Sequence, residues 1–458
     1  MNIVQITPGA GGMFCGGCLR DNALVTALRA RDHNVLMIPL YLPLTLDEPD
    51  QTAGTPTFYN GINVYLEQKY KLFRKGPRWL HDLVASPRLL RMLSKRAVKT
   101  RPTEVGDLTL SMLEGESGNQ SRELDLLIEY LQMQPEKPDV VVLSNALMMG
   151  MVRKLRRELD VPVVVTLQGE DWFVNSLPDA FRDRCWQLMV HRAQEVDMFV
   201  SPSQYYAAEM MRYLHVEPER MRIVHNGISL EGYMQAAVAP HPPSLGYFAR
   251  MCEEKGLGLL VDTFIELKRR DRVPHFKLRV GGGCGPGDEP YVEELKSKMR
   301  KAKCLKDAEF YPNLSRGDKL AFFRQLTVFC TPAMYGESFG LYLIEAMAAG
   351  IPAVQPNTAA FPEIFETIGG GTLAEPNPVA LASAIEPFLR DPNGAREYGE
   401  RVRANTHNHF GVELMAERMV AVYEEASDGW RAAREAARRE TDDGGLATDE
   451  NPEPAANA

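Results

Sequence analysis

Two glutamates in the second half of the chain are the residues best placed to do chemistry. Glu337 and Glu345 stand with seven residues between them, in a segment that reads as a loop leading into a helix. Ser338 and Gly340 suit the first positions of that helix, and residues 341–349 are good helix formers. The spacing therefore predicts one carboxylate just before a helix and a second within it.

The first turn of this helix would leave backbone N–H groups free at residues 338–341. Such groups are positively polarised and suit an anion. Glu337 would lie beside the anion and Glu345 further along the helix. A polyhydroxylated ligand that carries phosphate, such as a nucleotide sugar, would use all three features. Taken alone, the pair is better explained by a solvated loop glutamate and a surface glutamate on a helix.

A second charged segment lies earlier in the chain and begins at Gly246. It places Arg250 and Lys255 in a predicted turn between a strand and an amphipathic run, residues 259–267. Arginine offers phosphate a planar fork of donors, and lysine offers a mobile point charge. Two solvated loop cations are the commoner explanation for such a pattern.

A glycine run follows the next apolar strand, residues 276–280. It spans residues 281–287, and Gly282 is its candidate ligand contact because glycine lets the backbone approach a ligand closely. The run matches neither the dinucleotide fingerprint nor the phosphate-binding P-loop, and a flexible turn would also explain it.

These segments, in this order, resemble glycosyltransferase family 4 (group 1), whose members are retaining glycosyltransferases of the GT-B fold. In that family a GR…KG turn, a glycine turn and an E-x7-E segment follow one another. Here they are Gly246…Arg250…Lys255-Gly256, residues 281–283 and Glu337…Glu345. Residues 361–364 are also similar to the family's next motif. The resemblance covers most of residues 1–425 and is strongest from about 245 to 385.

The expected fold is α/β, with two Rossmann-like doubly wound domains that face an interdomain cleft. Composition agrees, because 458 residues exceed one ordinary core and 45% of them are hydrophobic. Strands alternate with helices in both halves, which is typical of parallel sheets. The expected parts are an N-terminal acceptor-binding domain (1–228) with a crossing helix (405–425), a linker (229–244), a C-terminal nucleotide-sugar-binding domain (245–404) and a disordered tail (441–458).

The resemblance implies transfer of a sugar from a nucleoside-diphosphate sugar to an acceptor hydroxyl, in the synthesis of a glycan, glycolipid or polysaccharide. Arg250 and Lys255 would stabilise charge on the diphosphate, and Glu337 would bind the donor sugar; these three are the expected catalytic residues. The expected substrate-binding residues are Gly11, Gly12, Gln168, Gly282, Ser338, Phe339, Gly340, Leu341 and Glu345. Glu345 would bind the ribose hydroxyls.

Neither a metal nor a cofactor is expected, because no Asp-x-Asp metal motif is evident and cations with a helix dipole would replace the divalent ion. Two other classes of function stay open. One is a related GT-B enzyme, either a nucleotide-sugar epimerase or a phosphorylase. The other is a catalytically silent protein that binds nucleotide sugars.

The glycine-rich loop of residues 8–18 follows the first strand, where open α/β sheets bind ligands. Gly11 and Gly12 are its candidate contacts to phosphates or acceptor, although a tight turn without a ligand competes with that interpretation. Phe14 occupies the third glycine's place of the dinucleotide fingerprint, which argues against an oxidoreductase. Cys15 and Cys18 form a C-x-x-C motif. Packing of small residues explains it best, a redox-sensitive pair comes second, and a structural zinc site comes last.

Gln168 departs from the family pattern, because many relatives carry histidine after this strand. Glutamine keeps hydrogen-bonding capacity but cannot titrate. In those relatives the histidine approaches the anomeric region of the sugar. Either Gln168 fills this role by hydrogen bonding alone, or the acceptor chemistry differs. Glu170 and Asp171 are alternative groups near the acceptor, although surface solvation or helix capping explains them better.

Charge and hydropathy bear on location and partners. The formal charge of −9 argues against a nucleic-acid-binding protein. No apolar leader or membrane-spanning stretch is evident, and the odd count of seven cysteines fits a reducing compartment, so we expect a cytoplasmic protein. Residues 69–101 carry eleven Lys and Arg against one acid, so residues 86–101 are a candidate for peripheral contact with the inner membrane face. A packed helix with a solvated basic face explains this segment somewhat better.

Overall fold

The computed structural model describes most of the 458 residues. The described residues are 1–9, 16–44, 46, 48–52, 54–58 and 102–444. Gly11, Gly12, Cys15, the basic segment 69–101 and residues 445–458 of the expected tail lie outside these ranges. The expectations for them stay predictions.

The first half is built around a parallel sheet whose strand order, among the described residues, is β2-β1-β3-β4-β5-β6. The strands are β1 (Asn2–Thr7), β2 (Asn34–Pro39), β3 (Val140–Leu143), β4 (Val163–Thr166), β5 (Met198–Ser201) and β6 (Met221–Ile223). The helices are α1 (Gly16–Arg29), α2 (Pro102–Glu114), α3 (Ser121–Gln132), α4 (Val152–Leu159), α5 (Glu170–Asn175), α6 (Asp179–Ala193) and α7 (Gln204–Leu214).

Strands β3, β4 and β5 are buried at every position, because helices cover both faces of the sheet. Their valine-rich sequences fit that environment, since β-branched side chains pack well on a pleated surface. One face packs on α2, α3, α4, α6 and α7, and the other packs on α1 and the last helix of the chain.

The second half repeats the architecture. Its parallel strands run in the order β10-β7-β8-β9, and a bridge from Phe329 to Ala353 joins them to the pair β11-β12. The strands are β7 (Ser244–Phe248), β8 (Lys277–Gly282), β9 (Ala308–Pro312), β10 (Val328–Phe329), β11 (Val354–Pro356) and β12 (Thr372–Ala374). The helices are α8 (Leu257–Arg270), α9 (Glu289–Lys301), α10 (Arg316–Phe323), α11 (Leu341–Ala348), α12 (Phe361–Ile368), α13 (Pro378–Arg390) and α14 (Pro392–His409).

The last helix, α15 (Val412–Gly444), returns to the first half. Its buried residues Met415, Met419 and Tyr423 belong to the same core as α1 and β1, as the crossing helix predicts. The expected bounds of 405–425 are wrong, because α14 ends at His409 and α15 begins only at Val412. Ile228 pairs with Gly411 at this break, so the backbone there bonds to the first half instead of continuing the helix. Residues 441–444 of the expected tail are helical.

Parallel strands bring their carboxyl ends to one edge of a sheet, where ligands of open α/β sheets bind. In the second half the loops after β7, β8 and β10 lie at this edge. In the first half the loops after β4 and β5 occupy the equivalent edge. The hydroxyl of Ser203, after β5, donates to the carbonyl of Ser338 at 2.7 Å, so the two edges meet.

Candidate active site

Lys255 and Glu337 form a buried ion pair at the edge of the second sheet. Lys255 Nζ lies 2.7 Å from Glu337 Oε2, and the Glu337 side chain is 8% exposed. The hydroxyls of Tyr342 and Tyr335 donate to the same Oε2 at 2.8 and 3.1 Å. From the sequence we predicted that each of these charged residues contacts the same ligand separately. The structure shows that the two residues bind each other.

The electrostatics of the pair keep the Glu337 carboxylate ionised. Burial alone would raise the pKa of Glu337, but the charge of Lys255 and the hydrogen bonds from Lys255, Tyr342 and Tyr335 hold the pKa below its ordinary value. All of these bonds go to Oε2. The other oxygen, Oε1, is therefore available to accept from a ligand hydroxyl.

The backbone places Lys255 by close packing of two loops. Gly256 has a φ of +72°, and a Cβ there would lie 1.7 Å from the Pro332 carbonyl oxygen. Only glycine fits such a position without moving the backbone. The Met334 N–H donates to the Glu254 carbonyl at 2.9 Å, which ties the same loops together. These contacts hold Lys255 against the loop that carries Glu337.

Arg250 lies on the same loop and extends over the glycine turn. Its Nη2 is 2.8 Å from Asp288 Oδ1, and Asp288 Oδ2 accepts from the Gly285 N–H at 2.9 Å. The hydrogen bond to Asp288 raises the pKa of the guanidinium, although burial acts in the opposite direction. The Arg250 side chain remains 61% exposed. Its uncommitted Nη1 is thus open to a ligand at the sheet edge.

Gly282 ends β8 with a φ of +122°, and a Cβ there would lie 1.9 Å from the Ala249 carbonyl oxygen. The Met251 N–H donates to the Gly283 carbonyl at 2.8 Å. The glycine turn therefore packs directly against the loop of Arg250. What the structure shows for Gly282 is this backbone packing, and its predicted contact to a ligand stays a prediction.

The four residues 338–341 lead into α11 as expected. Ser338 and Phe339 are buried, and the Phe339 ring lies 5.6 Å from that of Phe410, so the Phe339 side chain belongs to the core. Gly340 caps the helix, and the first N–H groups of any α-helix have no partner inside it. Leu341 is half-buried beside Gly16 of α1.

Glu345 lies further along α11 and is also paired. Lys319 Nζ lies 2.8 Å from its Oε1, and the Tyr233 hydroxyl donates to the same oxygen at 2.6 Å. Both partners are buried, and the Glu345 side chain is 15% exposed. The geometry fixes one carboxylate oxygen inside the protein and leaves Oε2 for a ligand.

Gln168 follows β4 in the first half and faces this site. Its Nε2 donates to the Ser144 carbonyl, and a Cβ on Gly17 would lie 2.1 Å from its Oε1, so the side chain packs against the beginning of α1. The next residue, Gly169, lies beside the Ser338 hydroxyl. The described end of the first glycine loop, Gly16 and Gly17, thus lies between Gln168 and α11.

Glu170 is buried under the Gln168 loop and stabilises it through hydrogen bonds. Its carboxylate accepts from the N–H groups of Ala146 and Gln168 at 2.9 and 2.8 Å and from the Tyr206 hydroxyl at 2.9 Å. Burial raises the pKa of Glu170, although these hydrogen bonds act in the opposite direction. Of the two explanations expected for Glu170, surface solvation is wrong, because the residue is 4% exposed, and helix capping stays open, because Glu170 lies in the first turn of α5.

Glu363 joins the two halves. Its carboxylate accepts from the N–H groups of Gln204 and Tyr205 at the beginning of α7, at 2.9 and 3.2 Å. His225 Nε2 lies 2.8 Å from the same carboxylate. The segment 361–364, singled out by resemblance alone, therefore caps a helix of the opposite domain.

Comparisons with known proteins identify the family. Residues 235–405 match the family described as glycosyl transferases group 1, and residues 120–231 match glycosyltransferase family 4. Together the two matches cover more than half of the chain. The chain belongs to glycosyltransferase family 4.

Individual relatives of this glycosyltransferase are distant. The glycogen synthase of Mycobacterium tuberculosis is 26% identical over 300 residues, 64% of this chain and 70% of the relative. The D-inositol 3-phosphate glycosyltransferase of Streptomyces scabiei is 26% identical over 258 residues, 52% of this chain and 56% of the relative. Together with the family matches, these relatives show that the protein is a glycosyltransferase.

Solved structures confirm the fold. Sucrose-phosphate synthase from Thermosynechococcus elongatus superposes with a TM-score of 0.69 and 18% identity, over 93% of this chain and 98% of that one. HepE of Anabaena, solved with UDP and glucose, superposes with a TM-score of 0.63 and 14% identity, over 93% of this chain and 99% of that one. The shared architecture is GT-B, so the predicted pair of Rossmann-like domains is confirmed. Across the described residues of the glycosyltransferase, no helix has both the length and the apolar character needed to cross a membrane.

Several residues of the site were missed from the sequence. They are the partners of the predicted ones: Tyr233, Asp288, Lys319, Tyr335 and Tyr342. Tyr335 and Tyr342 flank Glu337 closely in the chain, which is a usable signal for hydroxyl donors to a buried carboxylate. The other three are distant in sequence from their partners and carry no local signal.

Proposed function

We propose that this glycosyltransferase moves a sugar from a nucleoside diphosphate to an acceptor hydroxyl with retention of the anomeric configuration. The observation that carries the proposal is the buried Lys255–Glu337 pair in front of α11, with Arg250 on the same loop. Solved relatives of the same fold bind UDP and glucose, which supports a nucleotide-sugar donor.

The diphosphate gains negative charge as the glycosidic C–O bond breaks. Arg250, Lys255 and the N–H groups of residues 338–341 are the donors we assign to that charge. Lys255 can remain bonded to Glu337 and still reach a phosphate oxygen, because an ammonium group carries three N–H donors. Fixed donors of this kind each contribute about 3–4 kcal/mol to the transition state.

The carboxylates would hold the sugar parts of the donor through the oxygens left open by their internal partners. Glu337 Oε1 would accept from a hydroxyl of the transferred sugar, and Glu345 Oε2 from the ribose. Their ionised oxygens are stronger acceptors than neutral groups. We therefore assign both residues to orientation of the donor and give neither the part of a nucleophile.

Retention would follow if the acceptor attacks from the face that the diphosphate leaves, with a phosphate oxygen taking the acceptor's proton. Gln168 supplies no proton in this scheme, because an amide does not titrate. Its contacts to Ser144 and Gly17 suit a positioning role at the cleft. Closure of the cleft would exclude water that hydrolyses the donor.

Metal-independent, cofactor-free chemistry stays part of this proposal. Within the described ranges no group of three or more His, Cys, Asp or Glu side chains is arranged to hold a metal ion. A cytoplasmic location, and peripheral membrane contact through residues 86–101, also stay predictions.

The test is donor turnover by three variants, Arg250→Ala, Lys255→Ala and Glu345→Gln. We expect Arg250→Ala and Lys255→Ala each to lower kcat by about 10²–10³-fold, as loss of one transition-state donor does. Glu345→Gln should chiefly raise the KM for the donor, and all three should retain the circular dichroism spectrum. Arg300→Ala is the matched control, since Arg300 is an exposed arginine on α9. Unchanged transfer kinetics in all three variants would remove the site assignment.

A further inference from the structure

Trp172 is an aromatic side chain left open at the cleft. Among the described residues, it is the one aromatic in the set of large hydrophobic side chains that stay exposed, with 40% of its surface accessible. It lies on the short helix α5, directly after the Gln168 loop. Its position at the carboxyl end of β4 puts it on the edge of the first sheet that faces the second half.

A direct chain of contacts connects Trp172 to the proposed donor site. Its ring centroid lies 5.8 Å from that of Tyr335, and the two ring planes are tilted by 46°. The Tyr335 hydroxyl donates to Glu337, and Lys255 Nζ lies 4.7 Å from the Tyr335 ring centroid. Tyr335 therefore connects the Lys255–Glu337 pair of the second half with Trp172 of the first half.

Asp171 adds a polar group beside this ring. Its Oδ1 lies 2.9 Å from the Tyr206 hydroxyl, and that hydroxyl lies 2.9 Å from Glu170 as well. A hydroxyl carries one hydrogen and can donate it to only one of two carboxylates at a time. Asp171 also accepts from its own N–H and from that of Trp172, but it is half-buried, whereas Glu170 is 4% exposed and takes two N–H bonds of its own. Asp171 is therefore the carboxylate that a ligand can reach.

An open aromatic face beside a partly exposed carboxylate has the chemistry of a carbohydrate site. The C–H face of a pyranose ring is apolar and packs on an indole, while its hydroxyls, which point outward from the ring edge, bond to carboxylates. A purely apolar ligand would pack on Trp172 but would offer no hydroxyl to Asp171. The combination therefore favours a saccharide.

We propose that Trp172 and Asp171 form the acceptor subsite and that the acceptor is a saccharide, whose pyranose ring stacks on Trp172 while one hydroxyl donates to Asp171. This inference rests on the proposed function, because it needs the donor to occupy the second half. The transferred sugar then lies between Glu337 and the acceptor, with its anomeric carbon facing the first half. The saccharide is either free or the head of a glycolipid, since both present the same ring.

The test measures binding of three methyl pyranosides (gluco, manno and galacto) and of octyl β-glucoside below its micelle concentration, by saturation-transfer NMR in the presence of UDP, GDP or ADP. We expect saturation of the ring C–H protons of at least one methyl pyranoside. Trp172→Ala should weaken that binding about tenfold, the loss expected for a removed aromatic contact. Asp171→Ala should weaken it severalfold. Trp430→Ala is the matched control, since Trp430 lies on α15, with the Arg156 guanidinium 4.8 Å from its ring centroid, and this variant should bind as the unaltered protein does.

Three results would overturn the subsite: no binding of any methyl pyranoside, binding of octyl glucoside through its alkyl chain only, or equal binding by Trp172→Ala. A nucleotide-induced rise in Tm is recorded for every variant. If Tm rises while no pyranoside binds, the subsite is wrong and the proposed donor site stands. If no nucleotide raises Tm in the unaltered protein, the proposed function itself fails. Pyranoside binding by both free and octyl glycosides supports the subsite, and equal affinity would favour a free saccharide.

Discussion

Removal of Lys255 should show how strongly the buried ion pair holds Glu337. Lys255→Met keeps most of the apolar stem and deletes the charge, so it leaves an ionised carboxylate that is 8% exposed with two tyrosine donors. Breaking a buried pair from one side costs about 3–5 kcal/mol of unfolding free energy. Because the Lys255 side chain is 23% exposed, water replaces part of its contribution, and we expect about 2–4 kcal/mol.

The double variant Lys255→Met with Glu337→Gln separates the interaction energy of the pair from the effects of the two single substitutions. Once the carboxylate is neutral, loss of the cation should cost little, so the two changes should couple by about 1.5–3 kcal/mol. The assay is urea unfolding followed by circular dichroism for the four proteins. The matched control is the surface pair Lys296–Glu293 of the same half, changed to Met and Gln, which should couple weakly.

The pH dependence of the stability difference between Lys255→Met and the unaltered protein tests the same reasoning. In the unaltered protein the lowered pKa of Glu337 contributes stability above the ordinary glutamate range, and that stability is lost as pH falls through the folded-state pKa. In Lys255→Met only the two tyrosine hydrogen bonds still oppose burial, so the pKa of Glu337 rises and protonation relieves the buried charge. The deficit of the variant should therefore be largest at neutral pH and shrink in acid. A coupling no larger than that of the control pair, or a deficit that grows in acid, would refute the reasoning.

The remaining predictions concern the loops and the contact between domains. Gly256→Ala should lower the unfolding free energy by more than about 1–2 kcal/mol, the cost of a left-handed alanine, because the Pro332 carbonyl also blocks its Cβ; an unchanged urea midpoint would contradict this. Glu363→Gln should lower Tm at neutral pH, because the pKa of Glu363, which burial would raise, is held low by His225 and by the N–H groups of α7. That contribution is lost as pH falls through the folded-state pKa, so the two proteins should converge in acid, and a Tm difference independent of pH would contradict it.

Local sequence signals predicted the elements that carry the site. Alternating apolar strands and helices indicated two parallel sheets, and Gly340 with the apolar run after it located the beginning of α11 within a residue. These features depend on neighbouring residues, so a single sequence contains them. The GT-B assignment came from motif order, since spacing alone did not separate phosphate loops from flexible turns.

The partners within the site were not predictable in the same way. Lys255 and Glu337 are 82 positions apart, and Tyr233 and Glu345 are 112 apart, so their pairing depends on the path of the whole second domain. The break at Gly411 was missed because its cause is Ile228, far away in the chain. Amphipathic spacing continues through residues 405–425, and only the tertiary contact ends one helix there.

The central claim is that the second domain binds a diphosphate between Arg250, Lys255 and the first turn of α11. Calorimetric titration with UDP, GDP and ADP, each against its parent nucleoside, tests it most directly. We predict that one diphosphate binds at least about tenfold more tightly than its nucleoside and that Arg250→Ala and Lys255→Ala each remove most of this difference. Equal affinity for nucleoside and diphosphate, or a difference that both variants retain, would contradict the account.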